Sequence, residues 1–170
     1  MISNKAKSLS SQAHIHHSLN IGREAERIFK EITDAIPSTQ IQNYLHIDFN
    51  LGDKAIDVKG YKKSHESGYI LVEFLNVQGK AGWCSSESKN THIAFQMKDC
   101  FILVEKRNLR EKCISLCGNF TPQTVLRGNR LHRDGYDKVL YKWLGREKRE
   151  DVFCYIKLFD LTSLPHDTIA

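Results

Sequence analysis

The chain has 170 residues, 41% of them hydrophobic and 26% charged, with a net charge of +5 and a pI near 8.9. This suits one globular domain with its own core and a polyanionic partner. No run approaches a membrane span, there is no apolar leader at the N-terminus, and Cys84, Cys100, Cys113, Cys117 and Cys154 lack scaffold spacing; the expectation is a non-membrane, cytoplasmic protein with free thiols.

Residues 1–19 read as a polar N-terminal arm, and 20–170 as a single domain. His14, His16 and His17 in the arm offer nitrogen ligands, but nothing nearby completes a metal site. Asn20 predicts the N-cap of a helix running to Ile36 and closed by Pro37. Ile21, Ala25, Ile28, Phe29, Ile32 and Ile36 form its apolar stripe. Glu26 lies at the stripe's edge, where a side chain can reach past the core toward a cleft; Glu24 and Glu31 border the other side.

Tyr44–Lys59 reads as a β-hairpin, with strand Tyr44–Phe49, turn Asn50–Lys54 around Gly52, and strand Ala55–Gly60. Alternation puts Tyr44, His46 and Asp48 on one face, and Leu45, Ile47 and Phe49 on the other. On the second strand Asp57 and Lys59 share a face opposite Ile56 and Val58. Two neighbouring acids repel unless a cation lies between them, and a hard divalent ion with oxygen ligands is the natural guest.

Tyr61–Ser67 is a polar connection with Lys62, Lys63 and His65. The next strand, Tyr69–Leu75, carries one charge, Glu73, which shares a face with Tyr69, Leu71 and Leu75. A carboxylate there requires a partner. That partner is either a lysine in a structural ion pair or the Asp57–Lys59 pair, if this strand lies beside theirs. Asn76–Trp83 follows as a loop in which Trp83 either stacks on a base or covers the sheet edge. Lys89 offers a phosphate contact. His92–Phe95 and Cys100–Val104 read as strands, and Glu105–Leu116 as a charged helix. Cys113, Cys117 and His132 hint at zinc but lack a completing pair. Arg127, Arg130 and Arg133 lie on a polar loop, and Arg146 and Arg149 on a turn. Both clusters are either solvated turns or grips on a phosphate backbone. The turn joins Val139–Leu144 to Val152–Phe159 as a hairpin.

Asp48, eight residues, then Asp57-Val58-Lys59 resembles the signature of the PD-(D/E)xK nuclease superfamily, with Ile47 where that family usually has proline. Gly22-Arg-Glu-Ala-Glu-Arg27 resembles the first helix of the archaeal-type Holliday-junction resolvases in the superfamily. Glu73, Asn76, Gly79, Gly82 and Trp83 are more loosely similar to small phage-type nucleases, which would place the chain in a bacterial or phage-infected cytoplasm. The resemblance covers about residues 20–105 and implies an α/β, restriction-endonuclease-like core: a mixed sheet of about five or six strands flanked by helices.

The resemblance also implies a Mg²⁺-dependent endonuclease, with Mn²⁺ able to substitute. Asp48, Asp57, the Val58 carbonyl and Glu26 would hold the metal, Lys59 would orient the nucleophile, and Glu73 would assist. Lys62, Lys63, Trp83, Lys89, Arg127, Arg130, Arg133, Arg146 and Arg149 are the candidate nucleic-acid contacts. DNA is favoured over RNA because most relatives act on DNA. Three alternatives stay open: a branched-DNA resolvase, which would require a homodimer; an RNA endonuclease of the same fold; and a catalytically silent nucleic-acid-binding module in which Asp57 and Lys59 form a salt bridge.

Overall fold

The computed structural model describes residues 19–66, 68–76, 80–117, 126–127, 140–144 and 150–170. A helix over residues 19–32 (α1) comes first. There follow β1 (Ile36–Pro37), α2 (Gln40–Tyr44), β2 (Phe49–Leu51), β3 (Lys54–Lys59), α3 (Lys63–Glu66), β4 (Tyr69–Leu75), β5 (His92–Gln96) and β6 (Phe101–Glu105). Then come α4 (Lys106–Cys117), β7 (Leu126–Arg127), β8 (Leu140–Leu144), β9 (Glu150–Lys157), α5 (Leu158–Thr162) and β10 (His166–Ile169).

The chain is α/β. Its main sheet has six strands in the order β1-β2-β3-β5-β6-β10 and is mixed: β3 and β5 run parallel and the other pairs antiparallel. A second sheet, not expected from the sequence, has the order β4-β9-β8-β7. Two apolar clusters sandwich the main sheet. On one face Ala25 and Phe29 of α1 pack on Phe49, Ile56, Val58, Ala94, Phe101 and Leu103. On the other, Ile93, Phe95, Ile102 and Val104 meet Ile70, Val72 and Phe74 of β4, Val152, Cys154 and Ile156 of β9, and Leu109, Cys113 and Leu161 from α4 and α5. No described helix is long and apolar enough to cross a membrane.

The structure departs from the sequence expectations in four places. The first helix stops at residue 32, because the Thr33 hydroxyl donates back to the Phe29 carbonyl (2.7 Å) and then accepts from the Ala35 amide. Ile32 and Ile36 are therefore exposed rather than part of the buried stripe, and Ile36–Pro37 becomes an edge strand on β2, where proline is tolerated. Of the expected strand Tyr44–Phe49, residues 44–48 are not strand and β2 begins at Phe49. Thr39 and Gln42 form a reciprocal capping box that starts α2, and the helix closes when the amides of His46 and Ile47 donate to the carbonyls of Asn43 and Gln42. The strand Tyr69–Leu75 does not adjoin β3, whose two edges are taken by β2 and β5; it pairs with β9 in the second sheet. Finally, the last hairpin runs through β8 and β9, and residues after Lys157 turn into α5 and into β10, which covers the free edge of β6.

Candidate functional site

The site grows from the β2–β3 hairpin. Gly52 takes φ +58 in its turn, a region that favours glycine. Phe49 pairs with Ile56, and the Asp48 amide donates to the Ile56 carbonyl at 2.7 Å, so Asp48 and Phe49 share one partner residue and the Asp48 carboxylate comes within electrostatic reach of Asp57. The Asp48 Oδ2 accepts the Val58 amide at 2.7 Å, tying Val58 to the site through its N–H. On the other side of β3, Asp57 pairs with Ile93 and Lys59 with Phe95. In-register neighbours share a face, so both charged side chains look toward the second sheet.

Asp57 is only 3% exposed. Lys59 Nζ donates to its Oδ1 at 2.8 Å and lies 2.7 Å from its Oδ2, out of line for a hydrogen bond; that buried oxygen has no donor among the described residues. Burial pushes the Asp57 pKa up to about 7, with Lys59 pulling it down and Asp48 adding to the rise. Burial alone would lower the Lys59 pKa, but Asp57, Asp48 and Glu73 outweigh it and the net shift is upward.

Lys59 Nζ also sits 5.1 Å from the centroid of the Trp83 ring, within cation–π range. Trp83 is 6% exposed and packs edge-on to Phe95, so it covers the sheet and floors the site rather than offering a free face to a base. Its loop is pinned from three sides. The Gly82 and Cys84 amides donate to the Phe74 and Glu73 carbonyls, the Trp83 carbonyl accepts from Ser88 and Asn90, and Lys106 Nζ donates to the Ser88 carbonyl at 2.6 Å. A Cβ on Gly82 would stand 2.8 Å from the Glu73 carbonyl oxygen, so only glycine lets the loop lie this close to β4.

Glu73 is half-buried and reaches the site across the two sheets rather than from the strand next to β3. Its negative charge acts on both Lys59 and Lys62. Glu26 comes from α1. Burial raises its pKa first and Asp48 raises it further, while Lys59 and Arg23 oppose. It lines a cleft of about 330 Å³ with Asp48, Arg23, Arg27 and Lys30. Within this cleft Arg27 is held by Glu24 (2.7 Å) and Glu31, which makes those two acids surface partners. Gly60 sets the distance of α1 from the site, since a Cβ there would stand 2.6 Å from Ile21 Cγ2 and 2.7 Å from the Ile21 carbonyl oxygen.

His46 joins the site without having been singled out in the sequence. It takes φ +61 at the close of α2, a position usually given to glycine, and its Nε2–H donates to the Ala81 carbonyl at 3.0 Å. Burial lowers its pKa, and the charges of Lys59 and Asp48 both act on it. Its parity with Asp48 was no guide, because residues 45–48 are turn and loop and not strand.

Of the expected nucleic-acid contacts, Lys62 and Lys89 are exposed. Lys63 lies on α3 and Arg127 on β7, with side chains outside those described. Arg130, Arg133, Arg146, Arg149, His132 and the histidines of the N-terminal arm lie outside the described residues. The exposed Arg23 and Lys30, which flank Glu26 on the cleft wall, were not anticipated.

Among the described residues, no three His, Cys, Asp or Glu side chains close on one point. A magnesium ion does not require that: it keeps several waters and is commonly held by one or two carboxylates together with substrate phosphates. The donor set fits such an ion. Asp57 presents a buried oxygen with no in-line donor among the described residues, the Asp48 charge acts on it, and Glu26 lines a cleft with Asp48. No family model matches the chain, and neither the curated proteins nor the solved structures give a match.

Proposed function

We propose that the chain is a metal-dependent endonuclease of the PD-(D/E)xK type, hydrolysing phosphodiester bonds in DNA. The observation that carries this reading is the buried Asp57 carboxylate. Among the described residues one of its oxygens has no in-line hydrogen-bond donor, the Asp48 charge acts on it and Lys59 stands at 2.7 Å. Burying a carboxylate beside a second acid is unfavourable, and a site for a hard cation accounts for both acids being there.

In this reading Asp48 and Asp57 hold Mg²⁺ or Mn²⁺, with Glu26 as the additional acid. When bound, the ion supplies Lewis-acid polarisation of the phosphoryl group and acidification of water. Lys59, kept protonated by Asp57, Asp48 and Glu73, supplies a fixed positive charge where negative charge develops in the transition state. The Trp83 ring beneath it limits the swing of the ammonium and keeps bulk water from that side. Arg23 and Lys30 line the approach to Glu26 and Asp48, where a phosphate backbone would lie.

The catalytically silent module is favoured by one specific observation, that Lys59 and Asp57 already form an ion pair. Cleavage of linear duplex, single strand, four-way junction and RNA, each with Mg²⁺, Mn²⁺ or EDTA, separates the readings. Metal-dependent cutting of DNA is expected. Retained binding with no cutting of any substrate would leave the silent module, and preferential cutting of the junction or of RNA would reassign the substrate.

A further inference from the structure

A second cleft, of about 560 Å³, opens on the far side of α2 and is lined by Asn43, Tyr44, His46, Lys80, Ala81 and the acid Glu87. Asn43 lines this cleft and the one holding Asp48 and Glu26, so the two flank α2. His46 is the partition between the second cleft and the acid cluster. Its Nε2–H is fixed on the Ala81 carbonyl within the cleft, while Lys59 and Asp48 act on the same ring. The second cleft therefore adjoins, across His46, the place where the proposed reaction occurs.

Its size is in the range of small-ligand pockets, and its mouth carries an unusual residue. Tyr44 ends a helix that buries none of its residues and is 80% exposed. An aromatic ring held that far into solvent contributes little to folding and presents a flat face. Bases stack on such faces with little regard to sequence, and a lysine such as Lys80 beside the cavity suits the next phosphate of a strand.

We propose that this second cleft receives one base of the nucleic-acid strand beside the phosphate held at Asp48, Asp57 and Lys59, with Tyr44 stacked on that base. The proposal rests on the nuclease reading and adds a subsite to it. In a duplex, that base would have to leave the stack; in a single strand it is already free to do so.

The test is an abasic scan. Oligonucleotides of the best-cut sequence, each lacking the base at one position around the cut, are titrated against the full chain in EDTA, so that binding is read without cleavage. One position should weaken binding to the unaltered protein by about tenfold, in line with the loss of one base–aromatic stack. The same lesion should change binding to Tyr44→Ala by less than about twofold, because the partner ring is already gone. Tyr44→Phe should keep the full penalty, since stacking needs the ring and not the hydroxyl. The exposure of Tyr44 makes both variants safe for folding. A flat scan, or a penalty that persists in Tyr44→Ala, would overturn the subsite while leaving the nuclease reading intact. An unaltered protein that binds none of the oligonucleotides would remove both.

Discussion

Lys59 and Asp57 form an ion pair on adjacent same-face positions of one strand, with Nζ 2.7 Å from an Oδ2 that has no in-line donor among the described residues. The pair is held shut by burial on one side and the Trp83 ring on the other. Replacing Asp57 by asparagine keeps the shape and removes the charge. Lys59 still has Asp48 and Glu73 within electrostatic reach, so the fold should persist. Cleavage should fall by at least about a hundredfold, the scale of losing one electrostatic catalytic group. Affinity for DNA in EDTA should hold or tighten, because a negative charge facing phosphates has gone. A variant that cuts at the parent rate would remove Asp57 from the chemistry.

Gly60, next to Lys59 in the chain, sets how closely α1 approaches β3. A methyl group there would meet the Ile21 carbonyl oxygen at 2.7 Å, and backbone cannot step aside as a flexible side chain can. Gly60→Ala should therefore destabilise by about 1–3 kcal/mol, the usual range for overpacking. It should also draw Glu26 away from Asp48. Thermal unfolding reads the first effect and the metal concentration for half-maximal cleavage the second. Unchanged values in both would mean that the contact relaxes freely.

What the sequence revealed and concealed follows from the range of each interaction. The shared face of Asp57 and Lys59 was legible because alternation along a strand is local, whereas the full burial of Ile70, Val72 and Phe74, opposite the half-buried face of Glu73, was not read from the sequence. The partner of that strand was not legible. β3 had one free edge and two apolar strands followed it, and nothing local decides that β5 takes the edge while β4 goes to β9. The capping signal Thr39-x-x-Gln42 was present in the sequence, but the alternation of Tyr44-Leu-His-Ile-Asp imitated a strand and hid it. His46 occupies a left-handed position that glycine would have advertised. The burial of Trp83 depended on Gly82 lying against Glu73, a contact between segments that no periodicity records. Glu26, by contrast, was placed by its position at the edge of an apolar stripe, and the structure brings it to Asp48.

Glu73 acts on Lys59 by charge, from a strand of a different sheet. Glu73→Gln keeps size and hydrogen bonding. It removes one of the charges that hold Lys59 protonated, so the alkaline limb of the cleavage profile should move to lower pH. The maximal rate should fall by about tenfold or more, as expected when a charge-compensating group is weakened. A merely structural carboxylate would instead lower the melting temperature and leave the pH profile in place.

His65 gives the fold a dependence on pH that opposes the one from Asp57. It is 8% exposed and packs edge-on to Tyr61, with ring centroids 5.1 Å apart. Burial, with help from the positive Lys62, lowers its pKa from the ordinary 6.5 to about 4, against an opposing contact with the Gln96 backbone. Between those values the unfolded chain binds a proton that the folded chain refuses. The contribution of His65 to stability is therefore complete above pH 6.5 and is lost as pH falls toward 4. Its size is on the order of 3 kcal/mol, from the fall in pKa. Asp57 runs the other way. Its folded pKa of about 7 lies above the ordinary 3.8, so the folded state takes up the proton first and gains stability as pH drops through that window. The two slopes offset each other between about pH 4 and 6.5. Urea unfolding of the metal-free protein across that window separates them. Asp57→Asn should lose stability on acidification more steeply than the parent, because the offset is gone. His65→Gln should lose it less steeply, because the buried ring that refuses a proton is gone. Parallel curves for the parent and both variants would show that neither group sets the acid stability of the fold.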